Sequence, residues 1–243
     1  MKSWNPALSN KTFENLESTD ETMTLSGTVN KAAILLALTL IAAAYTWNVF
    51  FSGGFIDTVM WYLWIGNIGG LAVALVTIFV KTLSPYTAPL YAVLEGLAIG
   101  SISAFFESLF PGIAVQSAAL TFGTMFCLLL VYWSGLIEAT ENFKLAVVSA
   151  TGAICLLYIV NLALMLFGKQ IVFIHDTGIW GIAFSSFVVV IAALNLIMDF
   201  DFISKGVENN APKYMEWYSA FGLLVTLIWL YLEILRLLSK LRR

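Results

Sequence analysis

The sequence is poor in charge and in the residues that most enzyme sites need. Of its 243 residues only 11% are charged, against about 25% in soluble domains, and it contains one histidine and two cysteines. It has no HExxH, P-loop or nucleophile-elbow pattern, so we expect no enzyme activity and no cofactor. The net charge of −3 gives no basis for nucleic-acid binding. Cys127 and Cys155 lie in apolar segments and are interpreted as small core residues.

Hydrophobic residues make up 60% of the chain, which is more than a soluble domain can cover with polar surface. Seven apolar stretches reach the roughly 20 residues that a membrane-spanning helix needs: 32–50, 58–80, 88–107, 113–133, 145–167, 178–199 and 217–238. The sequence therefore predicts an all-α, multi-pass membrane protein. We expect residues 31–243 to form a single seven-helix transmembrane domain, preceded by a polar segment, 1–30, that is cytoplasmic and flexible.

The distribution of basic residues predicts the orientation. With the N-terminus inside, four lysines lie in the inner loops between segments and only Lys169 lies outside, which favours a cytoplasmic N-terminus in the cell's inner membrane. The basic residues after Arg236 disagree, because they lie outside if the seventh segment crosses fully. The GxxxG spacings at Gly66 and Gly96 are interpreted as close helix packing. Aromatic residues near the helix ends are interpreted as an interfacial belt: Trp61, Tyr62, Trp133, Trp180, Trp217 and Tyr218.

Carboxylates inside the apolar segments are the candidate functional residues. Glu95 interrupts the third segment, Asp199 and Asp201 close the sixth, and Glu233 lies in the seventh. An acid in hydrocarbon costs a few kcal/mol or more, so each is a functional-site hypothesis, here for protons or cations. The alternative for Asp199 and Asp201 is that both lie in interfacial water at a helix end.

Glu95 lies about six residues, or roughly 9 Å, beyond Pro89, and the third segment starts where the sixth ends. Glu95 and Asp199 are therefore expected at one depth, where two nearby carboxylates cannot both ionise easily and titrate as a unit. Calcium prefers oxygen ligands, so the pair is also a candidate transient calcium site. The alternative is that Glu95 hydrogen-bonds a neighbouring helix.

Two further groups have a structural and a functional interpretation. Glu233 has Arg236 three residues later, the spacing of a same-face ion pair, and Glu107 is a possible further partner. Lys81 ends the second segment, where it is either a snorkelling interfacial lysine or a latch that pairs with Asp199. Glu216 is interpreted as solvated.

These residues, taken in order, resemble the Bax inhibitor-1 family, also called the transmembrane Bax inhibitor motif family, in its bacterial branch. The resemblance covers about residues 30–243. It rests on the seven-segment plan, Pro85 to Phe106, Asp199, and Leu230 to Glu233. Asn5 to Ser9 is similar to a feature of one bacterial subgroup.

The resemblance implies a seven-helix bundle with a central last helix and a pH-sensitive calcium leak. It implies that Asp199 and Glu233 are the acid pair and that Lys81, in place of an arginine, is the latch. The spacing departs from this pattern, because a turn near Asn209 and Asn210 leaves Glu233 roughly 20 Å beyond the level of Asp199. Glu95 is then the better placed second carboxylate.

Two functions follow as hypotheses. The first is a cation leak channel, with calcium and protons as its ions, gated when Asp199, Glu95, Glu233 or Asp201 takes up a proton. The second is a non-enzymatic regulatory protein that binds other membrane proteins, such as membrane proteases, through its polar N-terminal segment. Glu14, Glu17, Asp20 and Glu21 would supply that contact.

Overall fold

The structure is a computed structural model that describes residues 21–53, 56–171, 174 and 176–242. Over the described residues it contains seven long helices: α1 Leu25–Phe51, α2 Ile56–Phe79, α3 Ser84–Leu109, α4 Ile113–Trp133, α5 Glu141–Leu166, α6 Ile179–Glu208 and α7 Met215–Leu241. Each is long and apolar enough to cross a membrane. Within the described residues the only β pairing is an isolated antiparallel bridge between Thr22 and Pro212. The all-α seven-helix bundle predicted from the sequence is confirmed.

The last helix is the centre of the bundle. It packs against α1, α3, α4 and α6, and its side chains contribute to the two largest groups of core residues. The glycine spacings explain how close the other helices come. A Cβ on Gly66 would lie 2.5 Å from the carbonyl oxygen of Leu94, and one on Gly96 would lie 2.5 Å from that of Thr39. The predicted packing role of both glycine pairs is confirmed.

The first helix starts earlier than the apolar pattern indicates. α1 begins at Leu25, so residues 25–30 belong to the membrane helix and not to a polar segment that ends at residue 30. Thr24 caps this helix, because its Oγ1 accepts a hydrogen bond from the N–H of Gly27 at 3.0 Å. Polar residues in the first turns find partners: the Thr28 hydroxyl donates to the Thr24 carbonyl, and Lys31 pairs with Glu216.

The sixth helix ends later than the sequence indicates, which changes the position of Asp199. α6 continues to Glu208, nine residues past Asp199, so the expectation that Asp199 closes the segment is wrong. The turn falls at Asn209 and Asn210, as the sequence predicted, and Asn210 has a φ of 49°. At 1.5 Å per residue, Asp199 lies about 13 Å before the end of its helix.

The residues on the outside of the bundle are largely apolar and face the lipid. Trp61, Trp133 and Trp180 are exposed, in keeping with an interfacial role. Tyr218 is buried, so its assignment to the aromatic belt is wrong. Cys127 and Cys155 are exposed free thiols and not core residues, because their helices α4 and α5 turn those positions outward.

Candidate functional site

A cavity of about 680 Å³ lies inside the bundle and contains the two acids that depth counting brought together. Residues of α2, α3, α5, α6 and α7 line it. Its polar lining consists of Asn67, Glu95, Tyr91, Thr151, Asn195, Asp199, Tyr218, Ser219 and Thr226. Along α7 the lining runs from Tyr218 to Trp229, which corresponds to about 16 Å of helix.

Asp199 is a buried wall residue of this cavity. The residue is only 7% exposed, and its Oδ2 has no hydrogen-bond partner among the described residues. Asn195 lies one turn earlier on the same face of α6, held by hydrogen bonds from its Nδ2 to Thr151 Oγ1 (2.9 Å) and to the Ile191 carbonyl (2.8 Å). The Thr226 hydroxyl of α7 interacts with the carboxyl. On α7 the contact with Asp199 is therefore made by Thr226, about six residues, or roughly 9 Å, beyond the position near residue 220 that the turn count predicted.

Glu95 reaches the same cavity from α3. Its carboxyl lies against the backbone of α2, because a Cβ built on Gly70 would be 2.6 Å from Glu95 Oε1. The absence of a side chain at Gly70 is therefore what lets the carboxyl occupy this place. Tyr91, one turn earlier on α3, also lines the cavity and packs edge-on against Phe221 at 4.9 Å between ring centroids.

A second buried polar group lacks a partner in the same cavity. The hydroxyl of Tyr218 has no hydrogen-bond partner among the described residues, although the residue is only 3% exposed. Buried polar atoms are normally satisfied, and one that is not calls for an explanation such as water or an ion. Tyr218 Oη and Asp199 Oδ2 are two such atoms, and both belong to residues that line this cavity.

Glu233 lies outside this cavity. It is 1% exposed and accepts hydrogen bonds from Tyr158 Oη at 3.0 Å and from Arg236 Nη1 at 2.9 and 3.0 Å. Arg236 Nη1 also donates to Tyr158 Oη at 2.6 Å. Glu107 is not part of this group, because its carboxylate accepts from the backbone N–H groups of Gly112 and Ala114. The structure thus gives Glu233 the contacts of a structural ion pair.

Replacing Glu233 with glutamine is expected to destabilise the protein and leave its pH response in place. The amide would leave the Arg236 guanidinium without its counter-charge, and breaking one side of a buried pair is costly. Thermal unfolding in detergent should show a lower midpoint for Glu233→Gln than for Glu141→Gln, a control whose side chain is 75% exposed. A folded Glu233→Gln protein with a flattened flux–pH curve would show that Glu233 is a sensor after all.

Asp201 also lies outside the cavity. Its Oδ2 is 2.8 Å from Lys144 Nζ of α5 and 2.8 Å from Lys205 Nζ of α6. The Lys144 pair joins the start of α5 to the end of α6, and the Lys205 pair lies within α6, so both neutralise Asp201 where the helix continues past it. The structure gives Asp201 a tethering role and separates it from Asp199.

Lys81 follows α2, at the start of a short 3₁₀ turn, Lys81–Leu83. Its Nζ lies 5.8 Å from the centroid of the Tyr218 ring, a cation–π distance. Tyr218 is a cavity residue, so Lys81 contacts the wall that contains Asp199 through this ring. Asp199 Oδ2 itself makes no hydrogen bond among the described residues.

The buried acid that the sequence interpretation missed is Glu216. It is 0% exposed, not solvated, and accepts hydrogen bonds from Thr24 N at 2.9 Å and Thr24 Oγ1 at 2.8 Å in addition to its pair with Lys31. Lys213 adds a contact at 3.4 Å. No local pattern signals this burial, because the partners lie about 190 positions earlier in the chain.

The same contacts hold the end of the N-terminal segment. Met23 is 2% exposed, donates its N–H to the Ala211 carbonyl at 2.6 Å, and packs with Phe202 and Tyr218. Residues 21–24 are thus part of the folded domain, whereas Asn5 to Ser9, Glu14, Glu17 and Asp20 lie outside the described residues. The backbone carbonyl of Glu21 accepts from Lys213 N at 3.1 Å.

The basic residues near the end of α7 have specific partners at the far end of the bundle. Lys240 Nζ donates to the carbonyl oxygens of Ile174 (2.8 Å) and Gly181 (3.0 Å). Arg242 donates to the Pro111 carbonyl at 2.9 Å and to Gln116 Oε1 at 2.7 Å. These contacts give the C-terminal charges a structural role, and α7 is long enough to cross.

Within the described residues, six membrane-length helices and a buried last helix between them, with a carboxylate-lined cavity, define a multi-pass α-helical membrane protein in contact with the lipid bilayer. The chain belongs to the Bax inhibitor 1 like family, whose sequence profile matches residues 5–243. It matches no curated protein and no solved structure.

Proposed function

We propose that this protein is a pH-sensitive cation leak channel, with calcium as the permeant ion and with Asp199 and Glu95 as the titrating groups. The observation that carries the proposal is the buried Asp199 carboxyl, whose Oδ2 has no hydrogen-bond partner among the described residues and which lines one cavity inside the membrane domain with Glu95. Protonation of buried acids changes the charge of this cavity, and a charge change at a packed element biases a gate. Non-enzymatic ion conduction also agrees with the lack of enzyme motifs.

Calcium binding in the cavity is proposed to be transient. Among the described residues no group of three or more His, Cys, Asp or Glu side chains is placed to hold a metal ion. Calcium takes six to eight oxygen ligands, so a passing ion would keep most of its water beside Glu95 and Asp199. Weak, partly hydrated binding is what conduction requires, since an ion must also leave.

We propose that the end of the bundle near Lys31 and Lys81 is the cytoplasmic end, in the inner membrane of the cell. The ion pairs at Glu216 and Asp201 collect Lys31, Lys213, Lys144 and Lys205 there. Positive charge near helix ends favours the cytoplasmic side. The competing charges at the end of α7 are occupied by contacts with carbonyl oxygens, Glu233 and Gln116.

The test is calcium flux into liposomes that contain only this protein, measured with an enclosed calcium dye over a range of pH. A flux that depends on the protein and changes with pH supports the proposal. Liposomes that are as tight as protein-free liposomes at every pH would reject it.

Glu95→Gln is expected to move the midpoint of the flux–pH curve to lower pH by about one unit, because it removes the second acid from the cavity that Asp199 lines. The amide keeps the size of the side chain, so the contact with Gly70 should persist. Glu208→Gln is the matched control, since Glu208 is exposed at the end of α6. The same midpoint in all three proteins would remove Glu95 from the pair.

Lys81→Ala is expected to raise the basal leak, because it removes the cation that lies over the Tyr218 ring on the cavity wall. If Lys81 and Asp199 act as one unit, the Lys81→Ala and Asp199→Asn double variant should leak no more than the single Lys81→Ala variant. The measurement is flux at a pH where the wild-type leak is low. Independent, additive effects would reject the latch.

The second candidate function is regulation of other membrane proteins, such as membrane proteases, through the N-terminal segment. The structure shows where a deletion that distinguishes the two functions should end. Removing residues 1–20 spares Met23 and Thr24, which belong to the core and the α1 cap. A channel should keep its flux after this deletion, whereas a regulator that acts through the tail should lose its partner in co-purification from native membranes.

A further inference from the structure

The cavity is larger than an inorganic cation needs. A calcium ion with about eight waters fills roughly 250 Å³, at about 30 Å³ per water, whereas the cavity measures about 680 Å³. That volume falls in the range of roughly 300–1,000 Å³ typical of small-molecule sites. The space therefore has room for an organic body beside the carboxylates.

The lining has the composition of a site for an organic cation. Most of the wall is apolar and five of its side chains are aromatic: Tyr91, Phe202, Tyr218, Phe221 and Trp229. Aromatic faces attract ammonium groups, and Trp does so best. A mainly apolar wall with a few fixed polar groups is the usual form of a ligand pocket.

The charge of the lining selects for positive ligands. Glu95 and Asp199 are acids, and none of the described residues that line the cavity is Lys, Arg or His. A cation beside the lining is Lys81, whose Nζ lies 5.8 Å from the Tyr218 ring centroid, and Tyr91, Phe202, Phe221 and Trp229 are the other aromatic side chains of the wall. Asp199 Oδ2 and Tyr218 Oη have no hydrogen-bond partner among the described residues, and both oxygens can accept a hydrogen bond from an ammonium N–H. An ammonium group has the three donors that such oxygens accept.

The cavity also meets the outer surface of α2. Ile68 and Leu71 line it and are 64% and 62% exposed, and the neighbouring lining residue Asn67 is exposed as well. An exposed face of a membrane helix contacts lipid, so a ligand that partitions into the bilayer can reach the cavity from the side. This favours an amphipathic cation over a fully polar one.

We propose that the cavity is a binding site for a small aryl-alkyl ammonium ion. The ammonium group pairs with Asp199 and Glu95, and the apolar body packs against Trp229 and the aromatic wall. Binding of this kind needs the cavity and its charge, and it does not require that calcium crosses the bundle. An occupied cavity would in addition block any cation path through it.

The test compares 2-phenylethylamine with 2-phenylethanol, two probes of similar shape that differ in charge. Isothermal titration calorimetry on detergent-solubilised full-length protein at about pH 8, where an alkylammonium group remains protonated, gives both affinities after subtraction of titrations into empty micelles. The amine is expected to bind at least about tenfold more tightly than the alcohol, as a charge-assisted contact implies. Asp199→Asn should remove this difference, and Glu141→Gln should keep it.

A second variant keeps the proposal testable if Asp199→Asn does not fold. Gly222 lines the cavity, and a Cβ at this position would meet no atom within 4 Å. Gly222→Leu is therefore expected to fill the space without a steric clash at its Cβ. It should abolish binding of the amine, while Gly123→Leu, an equally open position outside the cavity, should not. Equal affinity for the amine and the alcohol would show that the cavity does not select for positive charge and is a space for lipid or solvent. Amine binding that is unchanged by Asp199→Asn or by Gly222→Leu would show that the amine binds elsewhere. Either result overturns the proposal.

Discussion

Asp199→Asn is expected to remove most of the pH dependence of calcium flux. The amide keeps the shape of the carboxyl but cannot titrate in the physiological range, and the ionised fraction of a titrating acid changes about tenfold per pH unit away from its midpoint. Asp199 Oδ2 makes no hydrogen bond among the described residues, so the substitution breaks no bond at that atom. The protein should therefore fold, and its flux–pH curve should become nearly flat.

The measurement is dye-detected calcium flux in liposomes at several pH values, with the same amount of protein in each sample. Glu141→Gln is the matched control, because it removes an exposed carboxylate near the end of the bundle and leaves the cavity untouched. Circular dichroism and gel filtration in detergent establish that the variants are folded. A folded Asp199→Asn protein with the wild-type curve would show that the pH sensor, if there is one, is another group.

The seven helices could be predicted because a membrane-spanning helix requires a continuous apolar run of about 20 residues, which is visible in the sequence. Their ends could not, because polar residues extend a helix when distant partners satisfy them. Lys31 lies in α1 because Glu216 pairs with it, and Asp201 lies in α6 because Lys144 and Lys205 neutralise it. Glu216 and Lys144 come from other helices, so no short window of sequence contains both sides of those two pairs, whereas Lys205 lies on α6 itself, four residues after Asp201.

The candidate site, too, could be predicted from the sequence only in part: the depth of its acids could be, and their contacts could not. Counting residues from the turn at Asn209 placed Asp199 opposite residue 220 of α7. The structure lines one cavity with Asp199, Ser219 and Gly222, but the α7 hydroxyl that reaches the Asp199 carboxyl is that of Thr226, about six residues farther along. Counting along α3 likewise put Glu95 in reach, and the structure lines the same cavity with it. Depth is readable from the sequence because helix rise is constant. These placements do not test the proposed roles of the two acids.

Rotation about the helix axis is what depth counting leaves out. Tyr218 has the sequence position of an interfacial aromatic residue, yet its ring faces the core and its hydroxyl is buried on the cavity wall. Glu233 and Asp199 both lie on buried faces of neighbouring helices, but Glu233 meets Tyr158 and Arg236. The local motif around Glu233 therefore identifies the family, while the contacts decide which acids share a space.

Gly222→Leu is expected to reduce the flux close to that of protein-free liposomes, because its side chain would project into the cavity that Glu95 and Asp199 both line. The position tolerates a side chain, since an added Cβ has no neighbour within 4 Å. Replacing a helical glycine also removes a residue that disfavours helix by about 0.8–1.0 kcal/mol relative to alanine. The loss of flux should therefore come without a loss of stability.

Gly123→Leu makes the same chemical change at another open helical position, on the exposed face of α4, and should conduct like the wild type. Comparing the two leucine variants at equal incorporation separates blockage of the cavity from a general effect of a larger side chain. Thermal unfolding of both in detergent checks that the bundle is intact. If folded Gly222→Leu protein conducts as well as Gly123→Leu, the ion path does not run through this cavity, because a space that can be filled without effect on the flux cannot be the route.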